Sequence, residues 1–204
     1  MLNPTQMRGR AERLAETDPV EALRVARSIR DPWYGCQAIS WVGRYWPNRG
    51  FTEILQEAAD LAAFSDNPYS AVACVAWPVR ALLERGSAEA ANAIIRRAIP
   101  TAQTIENQGG RSEALLLLLH AVLPYEDRQW RPVLDELIKA SEPVRSWRQP
   151  RNFQFAWRLI WAKDPELTSE LTVLISDRTL RKVAEKVVET GLGGLPRPFF
   201  WQQK

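Results

Sequence analysis

The sequence predicts an all-α fold, a right-handed α-α superhelix of about ten helices. Residues 109–124, GGRSEALLLLLHAVLP, contain a run from Ala114 to Leu119 that is apolar on every side. A helix there has no face to give to water and must be covered on both flanks. Four segments read as inner helices: DPWYGCQAISWV from Asp31, NPYSAVACVAWP from Asn67, GRSEALLLLLHA from Gly110 and RNFQFAWRLIWA from Arg151. They begin 36, 43 and 41 residues apart, with a more polar helix between each pair. No segment alternates with the period of two that a half-buried strand requires.

Taken in order, residues 1–10 are polar and expected to fray. Asp18-Pro19 starts a helix, with Asp18 as N-cap and Pro19 in the first helical position. Asp31-Pro32 repeats that signal, and Cys36, Ile39, Val42 and Trp46 follow at helical spacing. Residues 47–50 form a turn. Residues 51–65 are amphipathic: Phe51, Ile54, Leu55, Ala58, Ala59, Ala62 and Phe64 oppose Glu53, Gln56, Glu57 and Asp60. Asp66-Asn67-Pro68 opens the next helix, which Pro78 should kink by removing one backbone donor. Ser87 is expected to cap residues 88–99, and Pro100 to kink or end that helix. Residues 108–111 read as the turn into the central helix. Pro132 sits early in the helix that follows, and residues 143–149 form a basic connector. Residues 152–163 are the next apolar helix, Asp164-Pro165 repeats the start signal, and residues 177–190 are the last helix, closed by Gly191.

With 204 residues, 46% apolar and 25% charged, the chain has ordinary globular composition. It is expected to form one helical-repeat domain over residues 1–190 and a Gly/Pro/aromatic tail over residues 191–204. No run of 18 apolar residues predicts a transmembrane helix, and the first residues lack the apolar core of a secretory signal. Cys36 and Cys74 sit in apolar helical patterns and are expected to be reduced and buried. These features predict a cytoplasmic protein without a membrane partner.

Residues 21–47, EALRVARSIRDPWYGCQAISWVGRYWP, are similar to degenerate TPR/HEAT-like helical repeats of bacteria. Their pattern runs roughly helix, A-R-x-I-x-D, then P-x-x-R-A-x-A-L-x-x-L-A-x-x-L-P. The junction from Ala26 to Pro32 matches it, and residues 62–68 and 114–124 match more loosely. The usual Arg-Ala is replaced by Gly35-Cys36 and Ser70-Ala71, and the likeness covers residues 18–124. Such repeats form sensor arms of large bacterial signalling NTPases. The resemblance implies a non-catalytic protein-binding scaffold, an adaptor or regulatory subunit in signalling or defence. The chain has no GxxxxGK[ST] phosphate loop, so it would be a free-standing arm or accessory subunit.

Known catalytic patterns do not appear. His120 is the only histidine, and neither cysteine has metal-ligand spacing, so no metal and no cofactor are expected. Glu53, Glu57 and Asp60 read as a solvated face. Residues 143–163, PVRSWRQPRNFQFAWRLIWAK, are more pointed. Arg145, Arg148, Arg151, Arg158 and Lys163 stand there with no acid, interleaved with Trp147, Phe153, Phe155, Trp157 and Trp161. The aromatics can be array core with the arginines as rim, or the stretch can face a protein partner. It can also face nucleic acid, whose phosphates and unstacked bases require this combination. The 22 Arg against 5 Lys and the nine Trp look like the composition of HEAT-like DNA glycosylases, which makes a DNA-repair-related, nucleic-acid-binding solenoid the alternative reading. A GC-rich genome would raise Arg as well. Trp41, Trp77, His120 and Trp161 occupy equivalent inner-helix positions, as core or as groove floor. The aromatic tail is expected to fold back on the last helix pair or to dock into a partner. Partner identity and oligomeric state do not follow from the sequence.

Overall fold

Every Asp-Pro or Asn-Pro pair opens a helix in the structure, a computed structural model that describes residues 2–47, 49–191 and 198–200. Twelve helices and no strand occur among the described residues. They are α1 (Pro4–Leu14), α2 (Pro19–Arg27), α3 (Pro32–Tyr45), α4 (Phe51–Ala63), α5 (Pro68–Cys74), α6 (Ala76–Glu84), α7 (Ala88–Gln103), α8 (Gln108–Val122), α9 (Asp127–Ser141), α10 (Arg148–Lys163), α11 (Pro165–Val173) and α12 (Arg178–Thr190). The caps are the expected ones. Asp18, Asp31, Asn67 and Asp164 accept from the backbone amides of Glu21, Tyr34, Tyr69 and Leu167, each satisfying an amide that the first turn leaves without a partner. The chain divides into two compact units, Met1–Thr104 and Ile105–Lys204. In each, helices pack on their sequence neighbours in the manner of an α-helical solenoid.

In the first unit α3 is the inner helix, flanked by α1, α2, α4 and α6. All its residues from Gly35 to Gly43 are buried. Two glycines let α4 come close. A Cβ on Gly35 would stand 2.8 Å from Leu61, and one on Gly43 would overlap Leu55. Pro78 acts as expected, since the helix breaks at Val75 between α5 and α6. The missing Pro78 amide would have bonded the Cys74 carbonyl one turn back. The Cys36 thiol donates to that carbonyl instead, at 3.3 Å. The neighbouring Cys36 thiol, then burial, raise the Cys74 thiol far above its ordinary pKa. At the other end of α3, the Arg85 Nη1 donates to the carbonyls of Gly43, Arg44 and Trp46.

Some local expectations change. Residues 4–14 are helical rather than frayed. Asn3 and Gln6 form a reciprocal capping box, and Arg8 donates to Gln37 of α3 at 2.7 Å. Ala11 and Ala15 are fully buried, so a stripe of small residues does the work that larger apolar ones would have advertised. Ser87 stands at the N-cap of α7 but its side chain makes no cap bond. Pro100 lies inside α7, and Phe64 is 79% exposed.

In the second unit α8 packs between α9 and α10, and α10 also carries α11 and α12. Asn107 caps α8 through Gly110, so the two glycines lie in its first turn and not before it. Leu115, Leu118 and Leu119 are fully buried. Leu116 and Leu117 are only half-buried, so one side of this apolar helix is left partly open. Lys163 at the end of α10 donates to the carbonyls of Leu123 and Tyr125, the counterpart of the Arg85 clamp on α3. Side-chain bonds that link successive inner helices, such as Cys36 to Cys74, Arg85 to Arg44, Gln149 to Gln108 and Lys163 to Leu123, span 38 to 41 residues. The period near forty read from the sequence is thus the spacing of physical contacts. Among the described residues no helix is long and apolar enough to cross a membrane.

Candidate functional site

The start of α10 is fixed from below by a buried amide. Gln149 has no exposed surface. Its Oε1 accepts from the amides of Arg145 and Ser146, at 2.8 and 2.9 Å. Its Nε2 lies within hydrogen-bond distance of the carbonyls of Ala140, Ser141 and Pro143. The connector before α10 is therefore pinned to the end of α9, while Arg145 and Trp147 on it are exposed. Gly109 of α8 completes the seat, since a Cβ there would stand 3.3 Å from the Arg148 Cβ.

On this base stands an exposed basic-aromatic corner. Trp147 is 68% exposed. The Arg151 guanidinium lies 4.9 Å from its ring centre and that of Arg148 lies 5.9 Å away. Arg145, Arg148 and Arg151 are exposed, and no carboxylate pairs with them among the described residues. Other arginines are paired: Arg27 with Glu57, Arg44 with Glu84, Arg111 with buried Glu136.

Arg151 also lines an apolar groove of about 330 Å³ between α8 and α10. Glu113, Leu116, Leu117 and His120 come from α8, one or two turns apart on one face. Arg151, Asn152 and Phe155 come from α10. His120 meets Phe155 edge-on at 6.2 Å. Its ring also meets Phe199 of the tail edge-on at 5.5 Å. Of the tail, residues 198–200 are described, and Phe199 among them rests against α8. Residues 192–197 and 201–204, Trp201 included, lie outside the described residues.

The residues singled out in the sequence separate into distinct roles. Arg145, Trp147, Arg148 and Arg151 form the corner, and Arg151 and His120 share the groove. Trp157, expected beside them, is wholly buried. Its ring stacks on Phe153 at 4.2 Å, and its Nε1 donates to the Thr172 Oγ1 at 2.9 Å. It joins α10 to α11 and has no surface to offer a partner. Arg158 is half-buried, with a shielded Nε that has no partner among the described residues. Trp161 lies near the end of α12, where a Cβ on Gly191 would stand 3.4 Å from its ring. Trp77 belongs to the first unit, where it meets Trp33 edge-on at 6.4 Å while Trp33 stacks on Tyr69. Lys163 is occupied with carbonyls, and its burial lowers its pKa from the ordinary value.

Leu116, Leu117 and Glu113 were not legible as site residues. The apolar run Ala114–Leu119 hides the open side, which Glu113 and His120 mark by their phase. Gln149 had a signal: it stands in phase with Phe153, Ala156 and Ile160, which marks it as inward-facing. Among the described residues no group of three His, Cys, Asp or Glu is placed to hold a metal ion. No family model matches the chain, and neither a curated protein nor a solved structure does.

Proposed function

We propose that the chain is a non-catalytic interaction scaffold that binds a protein partner through the corner at the start of α10. A single observation carries the reading. Trp147 stands 68% exposed between two arginines that have no carboxylate partner among the described residues. Tryptophan and arginine are the residues that dominate binding energy at protein interfaces, because they bring large rigid surfaces and fixed donor geometry. A corner built of both, on a framework pinned by Gln149, is preorganised to receive a partner that supplies carboxylates. The chain then acts as an adaptor or regulatory subunit, as its resemblance to bacterial sensor-arm repeats implies.

The same groups suit nucleic acid, with arginines on phosphates and Trp147 under a base. Affinity capture from source-cell lysate, with and without nuclease, separates the two readings. A stoichiometric protein that survives nuclease and is lost with R148E and W147A is the expected result. Capture that vanishes with nuclease, with affinity falling steeply as salt rises, transfers the corner to nucleic acid. Capture unchanged by both substitutions removes the corner from function.

A further inference from the structure

We infer that the groove between α8 and α10 docks an extended segment of the partner that carries an aromatic side chain two or three residues from a carboxylate. This rests on the reading of the corner above and adds the chemistry of what binds there. The groove's volume, about 330 Å³, is that of a site for a compact side chain or small ligand. Leu116, Leu117 and Phe155 make it apolar, and the His120 ring adds to its aromatic lining. One end runs into Arg151 and, through Trp147, to Arg148.

The tail supplies a partial precedent. Phe199, from a stretch outside any helix, rests its ring on His120. An irregular segment thus places a phenylalanine on the His120 ring, though not among the residues that line the groove. Residues 190–204 contain no Asp or Glu. The tail thus has apolar side chains like those of the strip and no side-chain carboxylate to offer Arg148 and Arg151. A partner segment with both chemistries matches the whole strip. Glu113, on the α8 side of the groove, repels a carboxylate there, so the acids belong along α10. Spacing follows from geometry. Four residues of helix from Arg151 to Phe155 rise ~6 Å, and seven from Arg148 rise ~10 Å. An extended chain covers those distances in roughly two and three residues.

The probe is a fluorescein-labelled peptide, Glu-Asp-Ala-Phe-Ala, titrated into the full chain and read by anisotropy. The ring resonances of the only histidine report groove occupancy. Binding should move the His120 resonances. Affinity should fall at least about tenfold with R151E, with Glu-Asp-Ala-Ala-Ala, and with Lys-Arg-Ala-Phe-Ala. F155A should weaken binding severalfold without loss of helicity, which separates the groove from a folding defect. Equal affinity for the Phe and Ala peptides, or binding with His120 unmoved, overturns the groove and leaves the corner reading standing. No binding by any peptide also overturns the groove, and capture with R148E then decides the corner separately.

Discussion

The Asn152 Nδ2 of α10 donates to the Ser112 Oγ of α8 at 2.9 Å, across forty residues of sequence. Both side chains are buried, and both also reach the Gly109 carbonyl, at 3.2 Å from Asn152 and 3.0 Å from Ser112. This closed set joins the two helices that bound the groove. N152A removes the donor to the Ser112 hydroxyl and one of two side-chain donors to the Gly109 carbonyl, and should cost about 1–3 kcal/mol in urea unfolding. With S112A in a double-mutant cycle, the coupling should be ~0.5–3 kcal/mol. A coupling near zero would show that the two side chains are independent.

Gly43 is required by packing, not by backbone conformation. G43A should gain helix propensity yet lose stability, by about 1–3 kcal/mol, because its new Cβ overlaps Leu55. Combined with L55A, itself costly because Leu55 is fully buried, the two losses should be less than additive. Denaturant midpoints of the two single variants and the double variant check this.

Arg85 closes the end of α3 by donating to three carbonyls, while its guanidinium lies 4.3 Å from the Phe51 ring centre. R85M keeps the stem and removes the donors, and should cost about 2 kcal/mol. Amide exchange should speed up first in the last turn of α3. Uniform acceleration across the unit would count against a local clamp.

Glu12 carries the clearest pH signature. Burial raises its pKa above the ordinary value, against the pull of Arg8, Arg13 and Arg44. The protonated form is favoured on folding. Its contribution is present below the unfolded pKa and is lost as pH rises through the folded one. E12Q should therefore be more stable than the parent at about pH 7, with the gap narrowing toward about pH 4. A gap that widens on acidification would reverse the assignment.

W147A and R148E should each change stability by less than about 0.5 kcal/mol, since both side chains are exposed. The same variants should weaken partner binding. Thermal melts run beside the capture experiment distinguish lost contact from lost fold.

Trp147 and Trp157 illustrate what was legible in the sequence. Both lie in one aromatic stretch, yet one is 68% exposed and the other fully buried. Helical phase separates them: Gln149, Phe153, Ala156, Trp157 and Ile160 make one inward stripe, while Arg148, Arg151 and Phe155 fall outside it. The caps and the repeat period were legible because Asp-Pro pairs and cross-helix contacts are local or periodic. Helix α1 was not, because its buried residues are alanines and its capping box uses Asn and Gln. The groove was not, because the run Ala114–Leu119 is apolar on every side and draws the eye from Glu113 and His120, whose helical phase marks the open face.

Pro78 and Cys36 have a consequence for how this sequence can drift. The proline deletes a hydrogen-bond donor inside one repeat, and a thiol from the preceding repeat occupies the vacated carbonyl. Replacing Cys36 with alanine strands that carbonyl while Pro78 remains. Restoring an amide at position 78 gives the carbonyl an internal donor and makes the thiol redundant. The two positions are epistatic. In any lineage of this fold they should change in order, the proline before the cysteine, so that a helix break in one repeat constrains the residues admissible in the next.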